Sequence, residues 1–167
     1  MGMQANTLYG RLGGDIGVRQ LTERFYDLMD LEPTYQALRA VHGSTLVQAQ
    51  ERLYQFLSGW LGGPDLYTEQ HGHPRLRQRH FPFVVNMQMR NEWVVCFAQA
   101  LSELDVAEQD AEPLLLQIFV MADWMRNQEE SAHPVPMPPM MQNIQERIPV
   151  LADLLHKHGV RRYFQAS

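Results

Sequence analysis

The sequence predicts an all-α protein, and three observations carry that reading. Apolar residues recur at helical spacing through several long segments, no stretch shows sustained strand-type alternation, and glycine or proline separates the periodic segments. The chain has 167 residues, 45% of them hydrophobic and 20% charged, which suits one domain of ordinary size with a tail.

The elements follow in order. After the Gly13-Gly14 break, Asp15 is expected to cap a helix whose buried stripe is Val18, Leu21, Phe25 and Leu28 and whose end is marked by Pro33. Tyr26 lies one position off that stripe. A short helical turn over residues 34–39 leads to His42-Gly43, after which Ser44 or Thr45 caps a helix with Leu46, Ala49, Leu53, Phe56, Leu57 and Trp60 inward. Gly62-Gly63-Pro64 stops it. Between residues 65 and 83 the apolar periodicity lapses, and a polar loop of that length inside a compact domain tends to be functional. Asn86 then caps a helix running to residue 104 that buries Met89, Trp93, Phe97, Ala100 and Leu101. Another, over about 110–128, buries Leu114, Leu115, Ile118, Ala122 and Met125.

Pro134, Pro136, Pro138 and Pro139 are too dense for a helix and typical of an extended linker. Beyond them Ile144, Ile148, Leu151, Leu154 and Leu155 form a short amphipathic stripe that cannot fold alone and must dock on something. The expected organisation is a helical domain over 1–128, a Pro- and Met-rich linker over 129–143, and a C-terminal amphipathic extension over 144–167.

Fourteen Lys and Arg against nineteen Asp and Glu give a net charge of −5, so no polycationic surface is available for phosphates or an anionic leaflet. Nucleic acid and membrane are therefore excluded as leading partners. The single cysteine, Cys96, cannot form an intramolecular disulfide, which fits a reducing compartment. The first ten residues lack a basic start followed by an apolar run, and no stretch reaches the ~20 apolar residues of a bilayer span. A soluble cytoplasmic protein is expected.

Seven histidines are many for a small domain, and imidazole is the commonest metal ligand. His80 stands apart because Phe81-Pro82-Phe83 follows it, setting the imidazole beside a stiff backbone and two aromatics. A structural histidine is one reading. Another is a zinc site built from His71, His73 and His80, although no cysteine or acidic ligand stands at a typical zinc spacing.

The run Phe56-Leu57-Ser58-Gly59-Trp60-Leu61-Gly62-Gly63-Pro64, with Tyr67, Gly72-His73-Pro74-Arg75-Leu76-Arg77, Arg79-His80 and Pro82-Phe83, resembles the signature of the truncated haemoglobins of group II, the O group. Phe25-Tyr26 upstream and Arg90-Asn91-Glu92-Trp93 with Cys96 downstream extend the resemblance over roughly residues 7–128. It implies a two-over-two helical sandwich around haem b (iron protoporphyrin IX), held non-covalently because no Cys-x-x-Cys-His attachment motif is present. In that frame His80 is the proximal iron ligand, its second ring nitrogen fixed by a backbone carbonyl. Arg79, Arg77 and Tyr67 are candidates for the propionates, with Arg79 foremost, and Leu53, Phe56 and Trp93 for packing on the porphyrin. On the distal side the resemblance puts Tyr26, His42 and Trp93 around bound ligand, and Ala49 where larger globins carry a histidine. A phenol, an indole N–H and an imidazole can donate to the partial negative charge of bound dioxygen, whereas carbon monoxide gains less. From periodicity alone Tyr26 and Trp93 are equally well core aromatics.

The function so implied is reversible binding of dioxygen, nitric oxide and carbon monoxide at an open sixth position. Two further classes use the same iron: a redox enzyme, oxidising nitric oxide or acting as a peroxidase with a reductase partner, and a sensor acting through the extension. Oligomeric state is left open by the sequence.

Overall fold

The computed structural model describes residues 6–80 and 85–126, except for the side chains of Arg77 and Met87. Among the described residues every regular element is helical. The chain forms two compact units that meet at residues 79 and 80, and each has its own core.

In the first unit, α1 (Leu8–Arg11) is capped by Thr7, whose hydroxyl accepts the Gly10 N–H at 3.1 Å. Gly13 (φ +105°) and Gly14 (φ +68°) then turn the chain through left-handed backbone, where a side chain would be strained. The next helix, α2, spans Gly14–Leu31. Its cap differs from the sequence expectation: Gly13 is the N-cap and offers no side-chain bond, while Asp15 lies inside the first turn. The Asp15 carboxylate instead accepts a hydrogen bond from the Tyr54 hydroxyl. The predicted stripe of Val18, Leu21, Phe25 and Leu28 is buried, and Thr22, Tyr26 and Met29 join it. Glu32 turns extended ahead of Pro33, as the pyrrolidine ring demands of the residue before it. A 3-10 turn (Pro33–Tyr35) and α3 (Gln36–Ala40) follow, with the Tyr35 ring fully buried.

α4 spans Val47–Trp60, and the Thr45 hydroxyl accepts the Val47 N–H at 3.2 Å just ahead of it. Gly62 at φ +102° ends the helix, and the Gly63 N–H closes back on the Ser58 carbonyl at 2.8 Å. α4 packs on α2, with Tyr54 reaching Asp15, and its Leu57 and Ser58 are buried. Two short helices occupy the segment that reads in sequence as a polar loop: α5 (Leu66–His71), which packs on α4, and α6 (Leu76–His80). They are one or two turns long, too short for a periodicity to register.

In the second unit, α7 (Met87–Glu103) is capped as expected by Asn86, whose side chain accepts the Met89 N–H at 2.9 Å. It packs against α8 (Glu108–Trp124). Their shared core contains Val94, Phe97, Ala98 and Leu101 from one helix and Ala111, Leu114, Leu115, Ile118 and Phe119 from the other. Asp105 (φ +55°) makes the turn between them, a conformation Asp tolerates better than most residues. None of the described helices is long and apolar enough to cross a membrane. The expected linker and extension, 129–143 and 144–167, and the Phe81-Pro82-Phe83 run lie outside the described residues.

Candidate functional site

Helix α4 carries two faces that the sequence reading merged into one. Leu57 is the one member of the predicted inward stripe that is fully buried; Leu46, Ala49, Leu53, Phe56 and Trp60 are half-buried. The face covered by α2 instead uses Tyr54 and Ser58, polar residues whose hydroxyls are satisfied by Asp15 and by the Pro64 carbonyl (2.7 Å). Ala49, Leu53, Phe56 and Trp60 thus form a continuous apolar strip, spaced four, three and four residues apart, that this unit's packing leaves partly open.

The strip runs into an aromatic ladder. Phe56 stacks on Trp60 with ring centres 6.1 Å apart and meets the buried Tyr67 ring edge-on at 6.4 Å. Over Tyr67 lies the Arg79 guanidinium, 5.7 Å from the ring centre. Arg79 is itself exposed, and its Nε donates to the Pro74 carbonyl at 2.8 Å, which holds the cation at the end of the ladder. Two of the predicted rim residues, Tyr67 and Arg79, are therefore brought together; the Arg77 side chain lies outside the described residues.

Helix α2 and the segment after α3 bring together another predicted pair. The Tyr26 ring is buried, with Phe25 edge-on at 4.9 Å and His42 edge-on at 6.1 Å. The His42 Nδ1 lies 3.0 Å from the Leu38 carbonyl oxygen. A carbonyl can only accept, so Nδ1 carries the proton and neutral His42 presents Nε2 as an acceptor. In that tautomer Nε2 donates only when the ring is protonated.

His80 is the last residue of α6 and is half-buried. His71 Nε2 pairs with Gln55 Oε1 at 3.0 Å, and His73 Nδ1 accepts the Arg75 N–H at 3.1 Å. Among the described residues no three His, Cys, Asp or Glu side chains gather into a metal-ligating group. In the second unit the half-buried Trp93 stacks on Phe97, ring centres 5.5 Å apart and nearly parallel.

The sequence reading missed two buried polar arrangements. Arg90 is only 2% exposed: its Nη1 pairs with Asp123 at 2.5 Å, Nε and Nη2 both donate to Asn91 Oδ1 at 3.1 Å, and the guanidinium stacks 4.9 Å from Phe119. The available signal was an arginine at the start of an otherwise apolar helical run. The other is the Tyr54 phenol, where burial, and then the hydrogen bond to Asp15, push the pKa above its ordinary value. Arg19 lies 3.7 Å over that ring and opposes the shift.

The profile of the bacterial-like globin family matches residues 7–127. The group 2 truncated haemoglobin YjbI of Bacillus subtilis is 34% identical over 131 residues, covering 78% of this chain and 96% of that protein. The group II 2-on-2 haemoglobin of Agrobacterium tumefaciens superposes with a TM-score of 0.73 at 40% identity, covering 78% of this chain and all of that one. The truncated oxygen-avid haemoglobin of Bacillus subtilis superposes with a TM-score of 0.67 at 33% identity, over 73% and 100% of the two chains.

Proposed function

Because the chain belongs to the bacterial-like globins, in the group II truncated branch whose members are two-on-two haemoglobins, we propose that it holds haem b through His80 and binds dioxygen, nitric oxide and carbon monoxide reversibly at an open distal position. The family itself is haem-binding and takes up diatomic gases such as oxygen. The observation that carries the finer reading is the apolar strip of Ala49, Leu53, Phe56 and Trp60, half-buried in the protein chain and ending at Tyr67 and the Arg79 cation. A flat macrocycle with apolar faces and two carboxylates needs surface of this kind. Residues and cofactor fit.

Ferrous haem supplies the gas-binding metal. The His80 imidazole would supply a nitrogen ligand to the iron, and its second ring nitrogen would need an acceptor to keep the neutral ligand oriented. Leu53 and Phe56 from α4, and Trp93 from α7, would offer apolar surface to a porphyrin; Arg79 and Arg77 would offset propionate charge and Tyr67 would donate a hydrogen bond to it. Ala49, with a methyl group for a side chain, can neither ligate the metal nor obstruct the distal position. The Tyr26 phenol and the Trp93 indole are donors that would favour a bound ligand carrying negative charge. The oxygen-avid relative from Bacillus subtilis supports this direction. His42, with Nδ1 committed to Leu38, would present Nε2 as an acceptor when neutral.

The test is the absorption spectrum of the purified protein in ferric, ferrous, oxygenated and carbon monoxide forms, repeated on His80→Ala. The expected result is a globin spectrum for the parent and, for the variant, loss of stable haem or its recovery only with added imidazole. A variant that keeps a full complement of five-coordinate, histidine-bound ferrous haem overturns the assignment of His80.

A further inference from the structure

One side chain gathers the segment that carries His42. Residues 42–46 belong to no helix, and Gly43 and Ser44 are exposed. The Arg39 guanidinium nevertheless collects their carbonyls: Nη1 donates to Gly43 at 2.8 Å and more loosely to His42 at 3.5 Å, and Nη2 donates to Ser44 at 3.3 Å. Its Nε donates at 2.9 Å to the Asp30 carboxylate, which anchors the fork to α2. Water can satisfy the carbonyls of exposed residues, so these bonds fix the position of the segment rather than rescue buried groups.

The contacts close a ring. Asp30 lies four residues after Tyr26 on α2, one turn further along the same face. From Asp30 the ring passes to Arg39 on α3 and on to His42, which is tied to α3 twice more. The His42 N–H donates to the Arg39 carbonyl at 3.1 Å, and its Nδ1 donates to the Leu38 carbonyl at 3.0 Å. The ring returns to α2 through the imidazole, which meets the Tyr26 ring edge-on at 6.1 Å. An ion pair whose carboxylate is 52% exposed contributes little by itself. A planar fork that divides its donors between that carboxylate and three carbonyls is a different device, and lysine, a point charge on a flexible stem, cannot reproduce it.

We propose that Arg39 is a positioning residue for the His42 and Tyr26 pair. Its fork, anchored on Asp30, holds residues 42–44 so that the imidazole keeps Nδ1 on the Leu38 carbonyl and its edge against the Tyr26 ring. The neutral ring is thereby kept with Nε2 unprotonated, and the Tyr26 phenol is kept in one place. What this does for bound oxygen rests on the function proposed above; the clasp itself does not.

NMR of the 15N-labelled full chain, saturated with carbon monoxide so that any haem iron is diamagnetic, tests the clasp. The parent should show His42 in the Nδ1–H tautomer. Arg39→Gln should mix the two tautomers and speed exchange of the His42 amide by about tenfold or more. Arg39→Lys, which keeps the charge, should behave like Arg39→Gln. Asp30→Asn, a change on the exposed end of the clasp, should move both readings the same way by less. Oxygen dissociation should quicken about threefold or more in Arg39→Gln, and the same change should have little further effect in a Tyr26→Phe background, where the positioned hydroxyl is gone. An unchanged tautomer and amide rate in both Arg39 variants overturn the clasp, and parent-like behaviour of Arg39→Lys does so by assigning the effect to charge. Equal oxygen effects with and without the Tyr26 hydroxyl overturn the positioning role, because a merely structural loss acts in both backgrounds. A parent without a globin spectrum sinks the proposed function instead, and the NMR readings still decide the clasp.

Discussion

Tyr26→Phe isolates one hydroxyl. The ring is 6% exposed and wedged edge-on between Phe25 at 4.9 Å and His42 at 6.1 Å, and phenylalanine keeps both contacts. Haem uptake and helix content should therefore match the parent, leaving the lost donor as the measured quantity. A hydrogen bond to a charged acceptor is worth about 1.5–3 kcal/mol. At about 1.4 kcal/mol per decade, oxygen dissociation should accelerate by roughly tenfold to a hundredfold. Carbon monoxide, which develops little negative charge, should change far less. The neutral His42 ring presents an acceptor at Nε2 and so cannot take over donation to the ligand at neutral charge. Stopped-flow displacement of oxygen by carbon monoxide gives the rate directly. An oxygen off-rate within about twofold of the parent, in a variant with a normal spectrum, would remove Tyr26 from the ligand and return it to the core.

Three further outcomes concern the scaffold. In Gly63→Ala the new methyl carbon would sit 2.4 Å from the Tyr9 ring, and Tyr9 is pinned by its N–H to the Leu61 carbonyl at 3.0 Å. The overpacking should cost about 1–3 kcal/mol in urea unfolding. Asp123→Ala removes the ion pair of the buried Arg90 cation and leaves its bonds to Asn91 in place. Breaking a buried pair costs about 3–5 kcal/mol, but Asp123 is 39% exposed and water screens it, so a loss of about 2 kcal/mol is expected. Arg90→Met combined with Asp123→Leu should recover most of it. The Tyr54 phenol, with its pKa raised by burial and then by Asp15, lends stability that is complete below the unfolded value near 10. That stability drains away as the pH climbs through the folded value, so urea midpoints should fall less steeply above about pH 10 in Tyr54→Phe than in the parent.

Long elements were legible in the sequence because periodicity accumulates over several turns. The stripes of α2 and α8, that of α7 apart from the half-buried Trp93, the Asn86 cap and the Gly62 stop are where spacing and capping chemistry put them. Helix α8 starts two residues before the expected point, and Pro113 lies inside it rather than at its first turn. The short turn expected over residues 34–39 is present as the 3-10 turn and α3, but α5 and α6, each too short for a repeating pattern, were not legible. Asp15 shows a second limit. Its carboxylate had two uses, a cap for its own helix or an acceptor for a phenol 39 residues away, and tertiary packing chose the second. The α4 strip shows a third. Apolar spacing told which residues avoid water, but Leu57 meets protein while Ala49, Leu53 and Phe56 stay partly open, and periodicity cannot separate the two.

If the half-open strip on α4 seats a porphyrin, as proposed, it also ties the protein to the metabolism of its cell. Leu53, Phe56 and Trp60 are half-buried, and a porphyrin that recognised the folded state but not the unfolded one would raise stability by mass action. At a hundredfold excess over its dissociation constant that gain is about 2.7 kcal/mol, a large part of what a small domain has in hand. Steady-state abundance should then follow porphyrin supply as well as transcription. Cells short of iron or tetrapyrrole would hold less of the protein at equal messenger levels, with the difference lost to proteolysis or inclusion bodies.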